Sequence, residues 1–197
     1  MSARHAWLTF TAGPALGHRP TDDPHDWQRA LSALHARWYD GVAPPAVAAV
    51  FVLQWVLQVR AHTAAYAAAT GPWRARLDGL TFVRGNALVP ERVALSGLVA
   101  DDGDLGARLD RAEEDYRAVA EPLAASYASP VRLGPRVRGG LVDDMWTAAR
   151  RDAETVAGIV RPGVPARASC CLIYALPDCG ECAGCPRLAG RRVPGGS

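Results

Sequence analysis

The sequence predicts a mainly α fold with a small β-hairpin element (α+β), a single domain that ends in a cysteine-rich tail. Three observations predict it. Four long stretches repeat apolar residues every three or four positions, the period of a helix buried on one side. Two short β-prone runs flank Gly85-Asn86, a turn-forming pair. All five cysteines fall between positions 170 and 185. A chain of 197 residues with 49% hydrophobic content is long enough to bury one substantial core. We divide it into a helical body, residues 1–166, and a cysteine-rich segment, residues 167–197.

Residues 11–25 are rich in turn formers and read as a loop. Asp23 or Asp26 offers a cap for a first helix over 27–39, where Ala30, Leu31, Leu34 and Trp38 share a face. Pro44-Pro45 starts a second helix that runs to about residue 69, because proline costs least where the N–H has no helical partner. Thr70-Gly71-Pro72 stops it. The hairpin follows, with runs 80–84 and 87–95, and Pro90 assigns its strand to a sheet edge. Asp101-Asp102-Gly103-Asp104 reads as a solvated turn and helix cap, since it lacks the later glutamate of a calcium loop. Residues 105–126 form a third helix that Pro122 ends or kinks. A fourth, over 138–160, presents Leu141, Met145, Trp146, Ala149, Ala153 and Val156 on one side. Residues 161–167 are a breaker-rich connector. Trp27, Trp38, Trp55, Trp73 and Trp146 read, for the most part, as packing residues.

Bulk composition excludes several functions. A net charge of +2 is too small for a nucleic-acid binder. All 22 basic residues are arginine, a usage that points to a GC-rich gene rather than to a mechanism. The most apolar stretch, residues 46–59, is interrupted by Gln54 and Gln58 and followed by Arg60 and His62. It falls short of the roughly 20 apolar residues of a membrane span, so it reads as a core helix and the protein as not transmembrane. The first ten residues show no secretory apolar run. Five cysteines confined to sixteen positions would tie down little of the chain as disulfides. Reduced thiols and no export signal lead us to expect a cytoplasmic protein.

Cys170-Cys171, ten further residues, then Cys182-Ala183-Gly184-Cys185 form a dense thiol set, with Cys179 between the pairs. Thiolates this close repel one another unless an electrophile holds them, and zinc or an iron–sulfur cluster is the expected holder. The Cys-x-x-Cys turn puts two sulfurs on one side of a tight loop. Gly180 and Gly184 permit unusual backbone angles and free N–H groups near sulfur, and Pro186 keeps Cys185 from starting a regular helix. Adjacent cysteines point to opposite sides of an extended strand, so Cys170 and Cys171 meet one centre only across a bend. A pair of irons is a broader target for neighbouring ligands than one zinc.

The segment Arg167-Ala168-Ser169-Cys170-Cys171-Leu172-Ile173-Tyr174, continued to Cys185-Pro186, resembles the C-terminal signature of FhuF-type ferric-siderophore reductases, Cys-Cys-x10-Cys-x2-Cys. Pro44-Pro45, Leu53-Gln54-Trp55 and residues 139–142 resemble the family more weakly. The resemblance implies a 2Fe–2S cluster, with Cys170, Cys171, Cys182 and Cys185 as its ligands, and a FhuF-like helical domain before it. Cys179 departs from the pattern and is either a spare thiol or a substitute ligand. The implied substrate is a ferric siderophore in the cytoplasm.

The chain has no Gly-x-Gly-x-x-Gly after a strand and no Walker loop, and so no evident site for NAD(P)H or flavin. Electrons would come from an external donor such as a ferredoxin, a flavodoxin or an NAD(P)H-dependent reductase. Arg167, Arg187, Arg191 and Arg192 either stabilise added negative charge on the cluster or only solvate the tail. The stripe Gln54, Gln58, His62 lines a polar cavity or is the solvent side of its helix. Arg132, Arg136 and Arg138 steer an anionic complex or form an ordinary basic loop. Asp143-Asp144 reads as a surface or helix-start pair. The competing readings are a 2Fe–2S electron carrier or sensor, a helical binding module with a structural zinc site, and a siderophore-biosynthesis relative, which the cysteine tail disfavours.

Overall fold

A computed structural model describes residues 3–13 and 17–189. Its organising element is helix α2, Pro45–Thr70, with Pro45 at its first turn. It is rich in Ala, the best helix former and a small side chain, so the chain favours helix there and its neighbours can approach closely. By length and composition α2 could cross a membrane, but most of it is buried inside the protein. It packs on α1 (His25–Trp38), α3 (Leu105–Ser126) and α4 (Pro135–Val156), and on strand β3 (Trp73–Ala75). It is the core helix of a four-helix body.

Both expected strands form, but in a larger sheet than the sequence indicated. β1 (Ala3–His5), β2 (Leu8–Ala12), β5 (Pro90–Leu95) and β4 (Thr81–Arg84) lie in the order β1-β2-β5-β4. β4 and β5 are the antiparallel hairpin, and β2 pairs with β5 in parallel. The expectation that Pro90 marks an edge strand is overturned, since β5 is interior. Pro90 is the first residue of β5, and pairing with β2 starts only at Arg92. The missing N–H therefore breaks no bond on that side. β3 and β6 (Leu98–Ala100) form a separate antiparallel pair that periodicity did not reveal.

The helix boundaries move modestly. α1 starts at His25 with Pro24 as its cap residue, so neither aspartate caps it; Asp23 Oδ1 instead accepts from the His25 N–H at 2.9 Å. Asp104 does cap α3, accepting from the Ala107 N–H at 2.8 Å. Its neighbour Asp101 pairs with Arg111. Pro122 does not end α3, which runs on to Ser126. α4 starts at Pro135 and stops at Val156, short of the expected end at 160; Gly158 just beyond is left-handed (φ +87°). Trp27, Trp55 and Trp146 are core residues, and Trp27 stacks on Trp55 at 5.8 Å. Trp38 and Trp73 are exposed, so packing accounts for most of the five, as expected, but not for these two. Trp38 is the last residue of α1, and Trp73 lies on a strand rather than a helix.

Candidate metal centre

The cysteine segment enters across the middle of α4, where Asp144 holds it. Asp144 is a carboxylate on the same face as Leu141 and Met145, and it is buried. Its Oδ1 accepts from the Ala168 N–H at 2.6 Å and its Oδ2 from the Ser169 N–H at 3.0 Å. The Ser169 hydroxyl also donates to Oδ2. Arg167 Nε completes the clasp at 3.2 Å, and Arg167 Nη2 donates to Gln54 Oε1 on α2 at 3.1 Å. One buried carboxylate therefore holds the three residues preceding Cys170, two by their backbone N–H groups and Arg167 by its side chain. Charge-assisted bonds of this kind are the stronger class of hydrogen bond. Gly140 makes the approach possible, because a Cβ there would come within 3.2 Å of the Ser169 Cβ.

The bend expected at the cysteine doublet is present. Leu172, directly after Cys171, is left-handed (φ +61°), and its N–H donates to Cys170 Sγ at 3.4 Å. A short 3-10 turn follows over Ile173–Ala175. The chain returns through a second left-handed residue, Asp178, to the turn at Cys182–Cys185, closed by the Cys185 N–H on the Cys182 carbonyl at 2.9 Å. Gly184 works by close approach, not by an unusual backbone angle. Its φ is ordinary, and a Cβ would fall 2.6 Å from the Pro165 carbonyl oxygen. Gly180 has open space around it and needs no special conformation. Cys185 stays outside any helix, as expected, and Pro186 opens the four-residue α5, Pro186–Ala189. A proline fits the first helical position for the reason it fits at Pro45.

The fold brings four thiols together. Cys170 and Cys185 have their sulfurs 3.8 Å apart, and Cys171 is near enough to Cys182 to raise its thiol. Cys171 and Cys185 are buried, and Cys170 and Cys182 are half-buried. Cys179 is engaged elsewhere, donating to the Tyr39 hydroxyl at the end of α1 at 3.6 Å. Burial pushes the Cys170 thiol above its ordinary range and the neighbouring Cys185 adds to this, against the Leu172 N–H, which lowers it. Burial and then Cys171 raise the Cys182 thiol, with Arg167 opposing. Cys170 and Cys182 so placed resist ionisation unless a cation compensates them. An all-sulfur donor set with a 3.8 Å gap also fits two thiolates on one tetrahedral metal at about 2.3 Å each. The residues fit an iron–sulfur centre.

Residues 167–187 match the family model of the FhuF 2Fe-2S C-terminal domain. The tail is a FhuF-type 2Fe–2S domain, and its cofactor is a 2Fe–2S cluster. The match covers about a tenth of the chain. No curated protein and no solved structure shows a significant match. The FhuF-type tail and the helical body meet through Asp144 and Gln54.

Other sequence candidates are redistributed. The stripe Gln54, Gln58, His62 is buried, so it is not the solvent side of α2. Gln54 supports the tail through Arg167. Asp143 and Asp144 separate: Asp143 is a surface partner of Arg117, and Asp144 is the anchor, not a surface group. The signal for Asp144 was its position three residues after Leu141 on the apolar face, where a carboxylate needs buried donors. Arg138 is structural, donating to the carbonyls of Leu133, Ala124 and Ala125, while Arg132 and Arg136 are exposed. Arg187 lies over the Tyr174 ring at 4.0 Å and pairs with Glu181 at 3.7 Å. Arg191 and Arg192 lie outside the described residues.

Proposed function

We propose that the protein is a one-electron reductase of ferric siderophores, acting in the cytoplasm, with Cys170, Cys171, Cys182 and Cys185 as the ligands of the 2Fe–2S cluster. In this reading Cys170 and Cys185, whose sulfurs are 3.8 Å apart, hold one iron, and Cys171 and Cys182 hold the other. The observation that carries the proposal is a cavity of about 440 Å³ lined by Cys182 together with Arg167, Arg151 and Asp152. It is the place among the described cavities where a chelate can touch a ligand thiol. Another described cavity, about 750 Å³ between α2, α3 and the loops at 19–25 and 77–80, shares no lining residue with the cysteine segment.

The cluster, when bound, supplies a carrier that takes one electron and passes one on. The chain's own residues do the rest. Asp144 and Gly140 fix the approach of the doublet, and Gly184 fits the second turn under Pro165. Arg167 brings a positive charge beside Cys182, which favours added negative charge at the centre and attracts the oxygens of an anionic chelate. Cys182, half-buried and lining the cavity, would hold the cluster on the side that a chelate can approach. One electron enters from an external donor such as a ferredoxin, a flavodoxin or an NAD(P)H-dependent reductase. One electron converts chelated Fe³⁺ to Fe²⁺, which hard oxygen ligands hold far less well, so the metal leaves.

The test uses anaerobically purified protein, chemically reduced ferredoxin, a ferric hydroxamate and a chromogenic ferrous trap. Catalytic release of Fe²⁺ is expected, with one electron consumed per iron. Reduction of the protein without any transfer to ferric hydroxamate, catecholate or carboxylate chelates would leave a plain electron carrier.

A further inference from the structure

The polar stripe of α2 that begins at Gln54 ends at His62, and there the protein has an arrangement that the cluster does not use. His62 is 1% exposed, and neither of its ring nitrogens has a hydrogen-bond partner. His5 of β1 lies beside it, 3% exposed, with Nε2 also unpartnered. The two rings are 5.2 Å apart and tilted by 57°, and His5 stacks on Tyr66 at 4.6 Å. Asp152 of α4 faces them, its Oδ2 3.9 Å from His62 Nδ1. One ligand atom from each of the three residues lies within 4.8 Å of the others.

A neutral imidazole has one N–H to donate and one lone pair to fill. Leaving such groups buried and unpaired forfeits their hydration with nothing in return, so a buried histidine with two idle nitrogens needs an occupant. A divalent cation fills the need, because it takes a lone pair from each imidazole and a charge from the carboxylate. Two imidazoles and one carboxylate leave open positions, the donor set suited to Fe²⁺ and related first-row ions. Nitrogen and oxygen ligands on one ion at about 2.1 Å lie closer together than these do. Asp152 is half-exposed, and binding an ion requires it to turn inward. It also lines the cavity that Cys182 lines, so an ion has a route from solvent.

We propose that His5, His62 and Asp152 form a binding site for a divalent transition-metal ion of the Fe²⁺ class, reached through the cavity beside Cys182. The site does not depend on the reductase reading. Under that reading it also gives newly formed Fe²⁺ a first protein seat across the cavity from the cluster.

The test is equilibrium dialysis of the full chain, cluster intact and under anaerobic conditions, against ferrous sulfate and separately against manganese chloride. Metal is counted beyond the cluster iron, and visible absorption shows that the cluster is unchanged. One additional ion per chain is expected, with nitrogen hyperfine coupling to imidazole in the manganese-loaded protein. His62→Ala should weaken binding at least tenfold. Asp152→Asn, nearly isosteric and half-exposed, should weaken it about tenfold while leaving the fold and the cluster absorption intact. If His62→Ala does not fold, Asp152→Asn alone decides. Absence of an additional ion in the unaltered protein at millimolar metal overturns the proposal, as does unchanged affinity in Asp152→Asn or a bound ion without nitrogen coupling. None of these readouts involves a siderophore, so failure here leaves the proposed reduction untouched.

Discussion

The helical body and the cysteine tail hold their shapes by opposite means. In the body, α2 buries nearly every side chain from Val47 to Ala68, and non-directional burial of apolar surface does the work. The tail between α4 and α5 has one short 3-10 turn and few buried residues, among them Ser169, Cys171, Leu176 and Cys185. Its order rests on one buried carboxylate, two close glycine contacts and four converging thiols. The difference teaches that the two regions should fail separately. Loss of apolar contacts should unfold the whole domain, whereas loss of a ligand or an anchor should loosen the tail around an intact body.

The largest separation is expected from the cysteines proposed as ligands. Cys171→Ser or Cys182→Ser should remove most of the visible absorption of the anaerobic protein, with far-ultraviolet circular dichroism unchanged. Cys179→Ser should keep nearly all of the absorption, because that thiol is held by Tyr39 rather than by the other four. Loss of colour in Cys179→Ser would overturn the assignment. Leu57→Ala probes the other region. Leu57 is fully buried, and its truncation should lower global stability in denaturant melts by about 2–5 kcal/mol without altering the spectrum.

Asp144→Ala sharpens the comparison at the junction. It leaves Arg167 and two backbone N–H groups without their acceptor, and breaking a buried ion pair in this way costs about 3–5 kcal/mol. Hydrogen exchange should speed up in residues 165–172 and stay slow in α2, since the cost falls on a local unit. Uniform loss of protection across both regions would show that they are not separable. A smaller effect is expected from Gly184→Ala, about 1–3 kcal/mol of overpacking against the Pro165 carbonyl, read as faster cluster loss. Gly180→Ala should be silent.

The smallest effect concerns acid. Burial holds the His35 pKa below its usual value, and its Nδ1 has no partner. The unfolded chain therefore binds the proton at higher pH than the folded one, so the stability His35 contributes is present above about pH 6.5 and lost as pH falls through the folded value. His35→Leu should flatten the melting temperature against pH below 6.5. An unchanged slope would place the acid sensitivity elsewhere.

Local signals determined much of this protein. Apolar spacing located the four helices to within a few residues, Gly85-Asn86 marked the hairpin, and the cysteine spacing identified the cofactor-binding tail. These features depend on neighbours in sequence, whose geometry is set by helix period, turn chemistry and loop closure. Periodicity misled where partners are distant. Pro90 lies in an interior strand because β2, some eighty residues earlier, begins its pairing two residues later. Asp144 and Gln54 looked like surface groups, and only the docking of the tail across α4 and α2 made them its anchors. Trp38 and Trp73 carried apolar character but found no cover. The meeting of His5, His62 and Asp152 likewise belongs to tertiary structure alone, because β1, α2 and α4 bring together side chains whose separation in sequence gives no hint of their separation in space.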